Sequence, residues 1–133
     1  MELAFKYGAR SLYFNDKANS KAQKKIRNAI GEYANLGYGE IPISCYDETL
    51  FGSAKDGCLF TTRGIYIHNS GDKNKPFIAY KDIKSVRYND KTVYVNNEIT
   101  AVYAIEVYMI NEDKRESVCE MINELKSIFA SAD

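Results

Sequence analysis

The chain has 133 residues, with 18 Lys/Arg against 18 Asp/Glu, 45% apolar content, three cysteines and one histidine. That length fits one domain, which should bury roughly two-thirds of its unfolded surface without metal or disulfide staples. The apolar content excludes a disordered chain, and no apolar run approaches the roughly 20 residues of a bilayer span. The opening MELAFKYGARSLYFNDK lacks the charged-then-apolar pattern of an export signal, so a cytoplasmic location is expected.

Charge is spread unevenly. Residues 1–36 carry seven basic against three acidic side chains, residues 37–110 eight against nine, and residues 111–133 three against six. The basic excess gathers at Lys21, Lys24, Lys25 and Arg27. A solvated helix face accounts for four such charges, and an anionic surface is the contact they would serve. The surplus is too small for a nucleic-acid binder, and none is expected as a partner. Cys45, Cys58 and Cys119 stand far apart in apolar or strand-like stretches, and with His68 alone they offer no paired zinc ligands. They read as small buried thiols, and neither a metal nor a cofactor is expected.

For residues 3–14 a short helix and an ordered arm both fit. Ser20 with Gln23 has the form of a capping box. Ala22, Ile26, Ala29, Ile30 and Tyr33 then form one apolar stripe, predicting a helix of about 15 residues ended by Gly37 and Gly39. From Ile41 to Ile110 the pattern changes to strands: IPISCY, CLFTT, IYIHN, FIAY, IKSVRY, TVYV and EITAVY, seven in all. Arg63-Gly64, Asn89-Asp90 and Asn96-Asn97 supply turns between them. The stretch Thr100–Ile110 reads as one long strand or a bent one. Asn111, Glu112 and Asp113 suit a helix start, and Val118, Met121, Ile122, Leu125, Ile128 and Phe129 give that last helix an apolar face. Residues 1–40 read as a helical extension packed on a domain of residues 41–133, one structural unit overall.

Short antiparallel strands closed by an amphipathic helix give an α+β fold. Within it, the segment LFGSAKDG-x-LFTTRGIYI (Leu50–Ile67) and the later IAYKDIKSV (Ile78–Val86) resemble segments of bacterial pleckstrin-homology-like proteins. The resemblance covers roughly residues 41–130. It implies a β-roll or barrel of about seven antiparallel strands plugged by the C-terminal helix, with the N-terminal helix as an addition. Members that bind inositol phosphates gather Lys and Arg on the loop between their first two strands. Here that loop, Asp47 to Gly57, holds only Lys55 against Asp47, Glu48 and Asp56, so a phosphoinositide is an unsuitable ligand.

The chain shows no G-x-S-x-G elbow, phosphate-binding glycine loop or paired carboxylates, so no enzyme activity is expected. In the strand after Gly64, Ile65 and Ile67 should line the core, leaving Tyr66 and His68 on the opposite face. Tyrosine is abundant, and Tyr66, Tyr88, Tyr94 and Tyr108 are among those placed for exposure, which on a neutral surface suits protein contact. The expected function is a non-catalytic interaction module that binds a protein or peptide, with Leu50, Phe51, Lys55, Tyr66 and Tyr88 as contact residues. The alternatives are an anionic-lipid-associated regulatory domain using Lys21, Lys24, Lys25 and Arg27, and an inhibitor of the immunity or antitoxin kind.

Overall fold

The computed structural model describes residues 11–49, 52–95, 105–108 and 115–130. Its strands fall into two antiparallel sheets. Five form the order β1 (Leu12–Phe14), β2 (Pro42–Asp47), β3 (Gly57–Thr61), β4 (Gly64–His68) and β5 (Phe77–Ala79). The other three are β6 (Val86–Asn89), β7 (Thr92–Val95) and β8 (Ile105–Tyr108), in that order. Helix α1 spans Ser20–Glu32 and helix α2 spans Arg115–Phe129. No helix among the described residues is long and apolar enough to cross a membrane.

The fold is α+β, and six of the seven strands expected between Ile41 and Ile110 correspond to β2 through β7; the seventh, EITAVY (98–103), lies outside the described residues, and β8 falls in the stretch 100–110 read as one long strand or a bent one. The strands do not close into a barrel among the described residues. The physical reason lies at Tyr80–Asp82, a single 3-10 turn directly after β5, which interrupts the ladder before β6 begins. Tyr80 is fully buried there: its hydroxyl donates to Thr61 O at 2.7 Å and its ring stacks on Phe129, centroids 6.2 Å apart. The Lys126 ammonium donates to the Ile83 carbonyl. The corner that ends one sheet thus holds the end of α2.

The strand β1 falls in the segment that sequence left between helix and arm. It is only three residues long, too short to show a period. Its first-helix cap also differs by one position from the Ser20 box. Asn19 is the N-cap, accepting from Ala22 N–H at 3.0 Å. Gln23 instead reaches Asn15 Oδ1 at 2.7 Å, tying the helix start to the end of β1. The helix stops at Glu32, well before Gly37, and leaves Ile30 38% exposed at the margin of the stripe.

Every residue of β3 is buried, and four of the five in β4. The expected alternation holds, with Cys58, Phe60, Ile65 and Ile67 on one face and Leu59 and Tyr66 on the other. Both faces are covered. The first packs with Val93, Val95, Val118, Met121, Ile122 and Leu125, so α2 and the second sheet fill that side. Each of those aliphatic side chains contributes about 1.5–3 kcal/mol by leaving water. The second face packs with Ile26, Ala29 and Tyr33, so α1 lies on it. The N-terminal helix therefore covers the outer face of the five-stranded sheet.

That cover corrects the reading of Tyr66 as an exposed contact residue. It is 5% exposed, with its hydroxyl 3.1 Å from Asn35 O and 3.0 Å from Glu40 Oε1. Burial and the Glu40 carboxylate push its ionisation up to about 12. Phe77 packs on its ring at 4.5 Å. Tyr66 holds the segment after α1 onto the sheet.

Candidate functional site

The residues that line the larger hollow come from three elements. Helix α1 presents Lys21, Lys24, Lys25 and Asn28 at i, i+3, i+4 and i+7, which is one face of a helix. Ser11 just before β1 and Tyr13 within it join the lining, as do Asp47 at the end of β2 and Thr49, Gly52, Ser53 and Lys55 beyond it. Together they enclose a cleft of about 760 Å³.

Its floor is a buried ion pair. Lys25 Nζ lies 2.5 Å from Asp47 Oδ2, each side chain only 6% exposed. The same ammonium donates to Gly52 O at 2.9 Å and sits 4.6 Å from the centroid of the Tyr13 ring. Thr49 donates to Asp47 Oδ1 through its N–H at 2.9 Å and its hydroxyl at 2.5 Å. Burial alone would raise the Asp47 carboxyl, but the hydrogen bonds from Lys25 and Thr49 and the Lys25 charge outweigh it and hold it below its ordinary value. Lys25 is therefore not part of a solvated face, as four charges in a run suggested. It is consumed as a strut between α1 and the loop.

Asn28 supplies a second strut, its amide donating to Ser53 O at 2.8 Å. At the far end of the loop, His68 fixes the position of Lys55. Its Nδ1 lies 2.8 Å from Lys55 O and 3.1 Å from the Asp56 carboxylate, and its Nε2 lies 3.0 Å from Asp72 O. The single histidine of the chain is thus a brace behind the cleft.

Three cations remain for a ligand. Lys21 lies 5.6 Å from the Tyr13 ring centroid, and Lys21, Lys24 and Lys55 have no carboxylate partner among the described residues. Asp47, the one carboxylate among the described residues of the lining, is already committed to Lys25 and Thr49. Among the described residues the cleft therefore presents uncompensated positive charge beside the hydroxyls of Ser11, Tyr13, Thr49 and Ser53.

The residues expected at the site separate as follows. Lys21, Lys24, Lys25 and Lys55, drawn from two different expectations, meet in one cleft. Arg27 is exposed on α1 but turned away from that lining. Tyr88 is 47% exposed on β6, in the other sheet. Leu50 and Phe51 lie outside the described residues, as do Asn111, Glu112 and Asp113. Tyr94 is half-buried beneath Arg87, whose guanidinium carbon is 4.9 Å from its ring centroid. The side chain of Tyr108 is likewise outside the described residues. Sequence reasoning missed Tyr13, Asn28 and Thr49. The heptad step from Lys21 to Asn28 was the available signal for one of them.

The cysteines do not gather. Cys58 and Cys119 lie in the core shared with α2, whereas Cys45 lies under α1 on the opposite face of the sheet. Burial pushes the Cys45 thiol up to about 12 and the Cys119 thiol up to about 11, and raises Cys58 well above its ordinary value. None is a thiolate near neutral pH. Among the described residues no three His, Cys, Asp or Glu side chains are placed to hold a metal ion.

A second hollow of about 420 Å³ lies between the Gly37–Glu40 turn, Thr62, Arg63 and Phe129. Its carboxylate is spent internally: Glu40 accepts from Gly37 N–H at 2.8 Å and from the Thr61 hydroxyl at 2.6 Å, and lies 3.8 Å from Arg63. It braces the turn. Compared with protein-family models, with curated proteins and with solved structures, the chain matches none.

Proposed function

We propose that the chain is a non-catalytic recognition module of pleckstrin-homology-like architecture that binds an acidic segment of a partner protein in the cleft between α1 and residues 47–55. One observation carries this reading. Lys21, Lys24 and Lys55 reach a single concavity from two separate elements, while the only carboxylate beside them among the described residues is already paired. Carboxylates entering such a cleft meet several ammonium groups at once, in surroundings less screened than open water.

The architecture is supported by the order of the strands. Four strands, β2 to β5, precede three, β6 to β8, and α2 packs into the core between them. Strand β1 and helix α1 are additions to that pattern, and they build two walls of the cleft. No cysteine nucleophile enters this reading, because burial holds the Cys45 and Cys119 thiols in the neutral form.

The concavity favours a protein segment over a flat membrane surface. Of the four basic residues on α1, Lys25 is used inside the fold and Arg27 lies off the lining. The test is a titration with fluorescent octaglutamate, with octaglutamine as the uncharged control. Octaglutamate should bind at about 50 mM salt and weaken at least about tenfold by about 300 mM, where screening shortens the reach of each charge. Octaglutamine should not bind. Equal binding of the two peptides would refute the proposal, and binding to phosphatidylserine vesicles that octaglutamate does not displace would favour the lipid reading instead.

A further inference from the structure

Among the described residues, β1 is the outermost strand of the five-stranded sheet. Its register with β2 pairs Leu12 with Tyr46, Tyr13 with Cys45 and Phe14 with Ser44. Backbone bonds from Asp47 N–H to Ser11 O at 3.0 Å and from Asn15 N–H to Ile43 O at 2.8 Å show which residues face the neighbour. In an antiparallel ladder these alternate, so Ser11, Tyr13 and Asn15 turn their polar groups toward β2. Leu12 and Phe14 turn theirs away. The Phe14 carbonyl accepts from Asp16 N–H at 2.8 Å. The Leu12 N–H and C=O have no partner among the described residues.

A matched, outward-facing N–H and C=O on one edge residue are what an added strand pairs with. The edge also adjoins the basic cleft. Ser11 and Tyr13 line it, opposite Lys21, Lys24 and Lys25 of α1. The side chains of β1 divide accordingly, with Leu12 and Phe14 in the main core and Tyr13 on the lysine side.

We infer that the open edge of β1 is a strand-addition site for an extended segment of a partner protein with an acidic side chain at every second position. This rests on the cleft reading above and adds the conformation and spacing of the ligand. The incoming strand pairs with Leu12, and its pleat sends alternate side chains toward Lys21, Lys24 and Lys55. Charge complementarity selects the acidic residues, and the edge selects the extended backbone.

The probe is an acetylated, amidated hexapeptide alternating glutamate and threonine, followed by amide exchange and affinity. Saturating peptide should slow exchange of the Leu12 amide at least about tenfold, leaving Tyr13, already facing Cys45 in the ladder, unchanged. Two further peptides carry N-methyl groups on alternate amides in the two possible registers. One of them should bind at least about tenfold more weakly than the other, because its methyl groups occupy the side that meets β1. If the unmodified peptide binds, both methylated peptides bind equally and Leu12 exchange is unaltered, strand addition is wrong while the cleft reading survives. If no peptide in the set binds, the cleft reading fails and this inference fails with it.

Discussion

Replacing Gly57 with alanine should leave little folded protein. The residue has φ of +135°, and a Cβ built on it would lie 2.0 Å from the Tyr46 carbonyl oxygen and 3.0 Å from its carbon. Both contacts are with the backbone of the neighbouring strand, at the point where Asp47 pairs with Gly57 and Gly57 with His68. Relief requires moving β2 away from β3, through the middle of the five-stranded sheet. The expected cost is about 4 kcal/mol or more, a large share of an ordinary domain's stability. Gly31 is the control. It lies inside α1 with no atom within 4 Å of a new Cβ, so alanine there should stabilise by about 0.5–1 kcal/mol. Urea denaturation of both variants decides the matter. A Gly57→Ala protein with an unchanged midpoint would mean that β2 and β3 do not meet in this register.

Asp47→Ala should cost about 3–5 kcal/mol, because it strands the Lys25 ammonium in a site where the side chain is 6% exposed. The Gly52 carbonyl remains as an acceptor, but no opposite charge does among the described residues. The same contact gives the protein an acid-sensitive contribution of definite sign. The Asp47 carboxyl ionises near 3.8 when free and lower in the fold, so the folded state binds its proton less readily than the unfolded chain. Its stabilisation is therefore complete well above 3.8 and is lost as the pH falls through the folded value. Wild-type protein should lose this increment between neutral and acidic pH, and the alanine variant should have none to lose. Identical pH slopes for the two would show that the pair contributes nothing. Changing both residues together, Lys25→Met with Asp47→Leu, should recover much of the loss, since no charge is then left alone.

The fold was legible where side chains repeat. TVYV is β7, and IPISCY, CLFTT and IYIHN are β2, β3 and β4 to within a residue at either end. FIAY lost its tyrosine to the turn, because Tyr80 is drawn to Thr61 and Phe129, both remote in sequence. The cap moved from Ser20 to Asn19 because Gln23 found a better partner in Asn15, across the approach to the helix. Alternation in β4 was visible, but what covers its second face was not. Tyr66 and His68 look polar and outward-facing until α1, Asn35 and Glu40 are folded over them.

The site was half legible for the same reason. A run of Lys21, Lys24 and Lys25 announces a basic helix face without saying which member will be buried. Only the encounter with Asp47, 22 residues further on, separates Lys25 from the others. Lys55 was assigned to a loop and the other lysines to a helix, and nothing local joins them. The covering of the sheet by α1 does.

Charge reversal at one lysine tests the cleft most directly. Lys24→Glu and Arg27→Glu change the net charge equally and lie on the same helix, but only Lys24 lines the cleft. With folding confirmed by circular dichroism, Lys24→Glu should weaken octaglutamate binding at least about tenfold, and Arg27→Glu by less than about threefold. Equal losses in the two variants would show that the peptide senses overall charge alone and would contradict the assignment of the cleft.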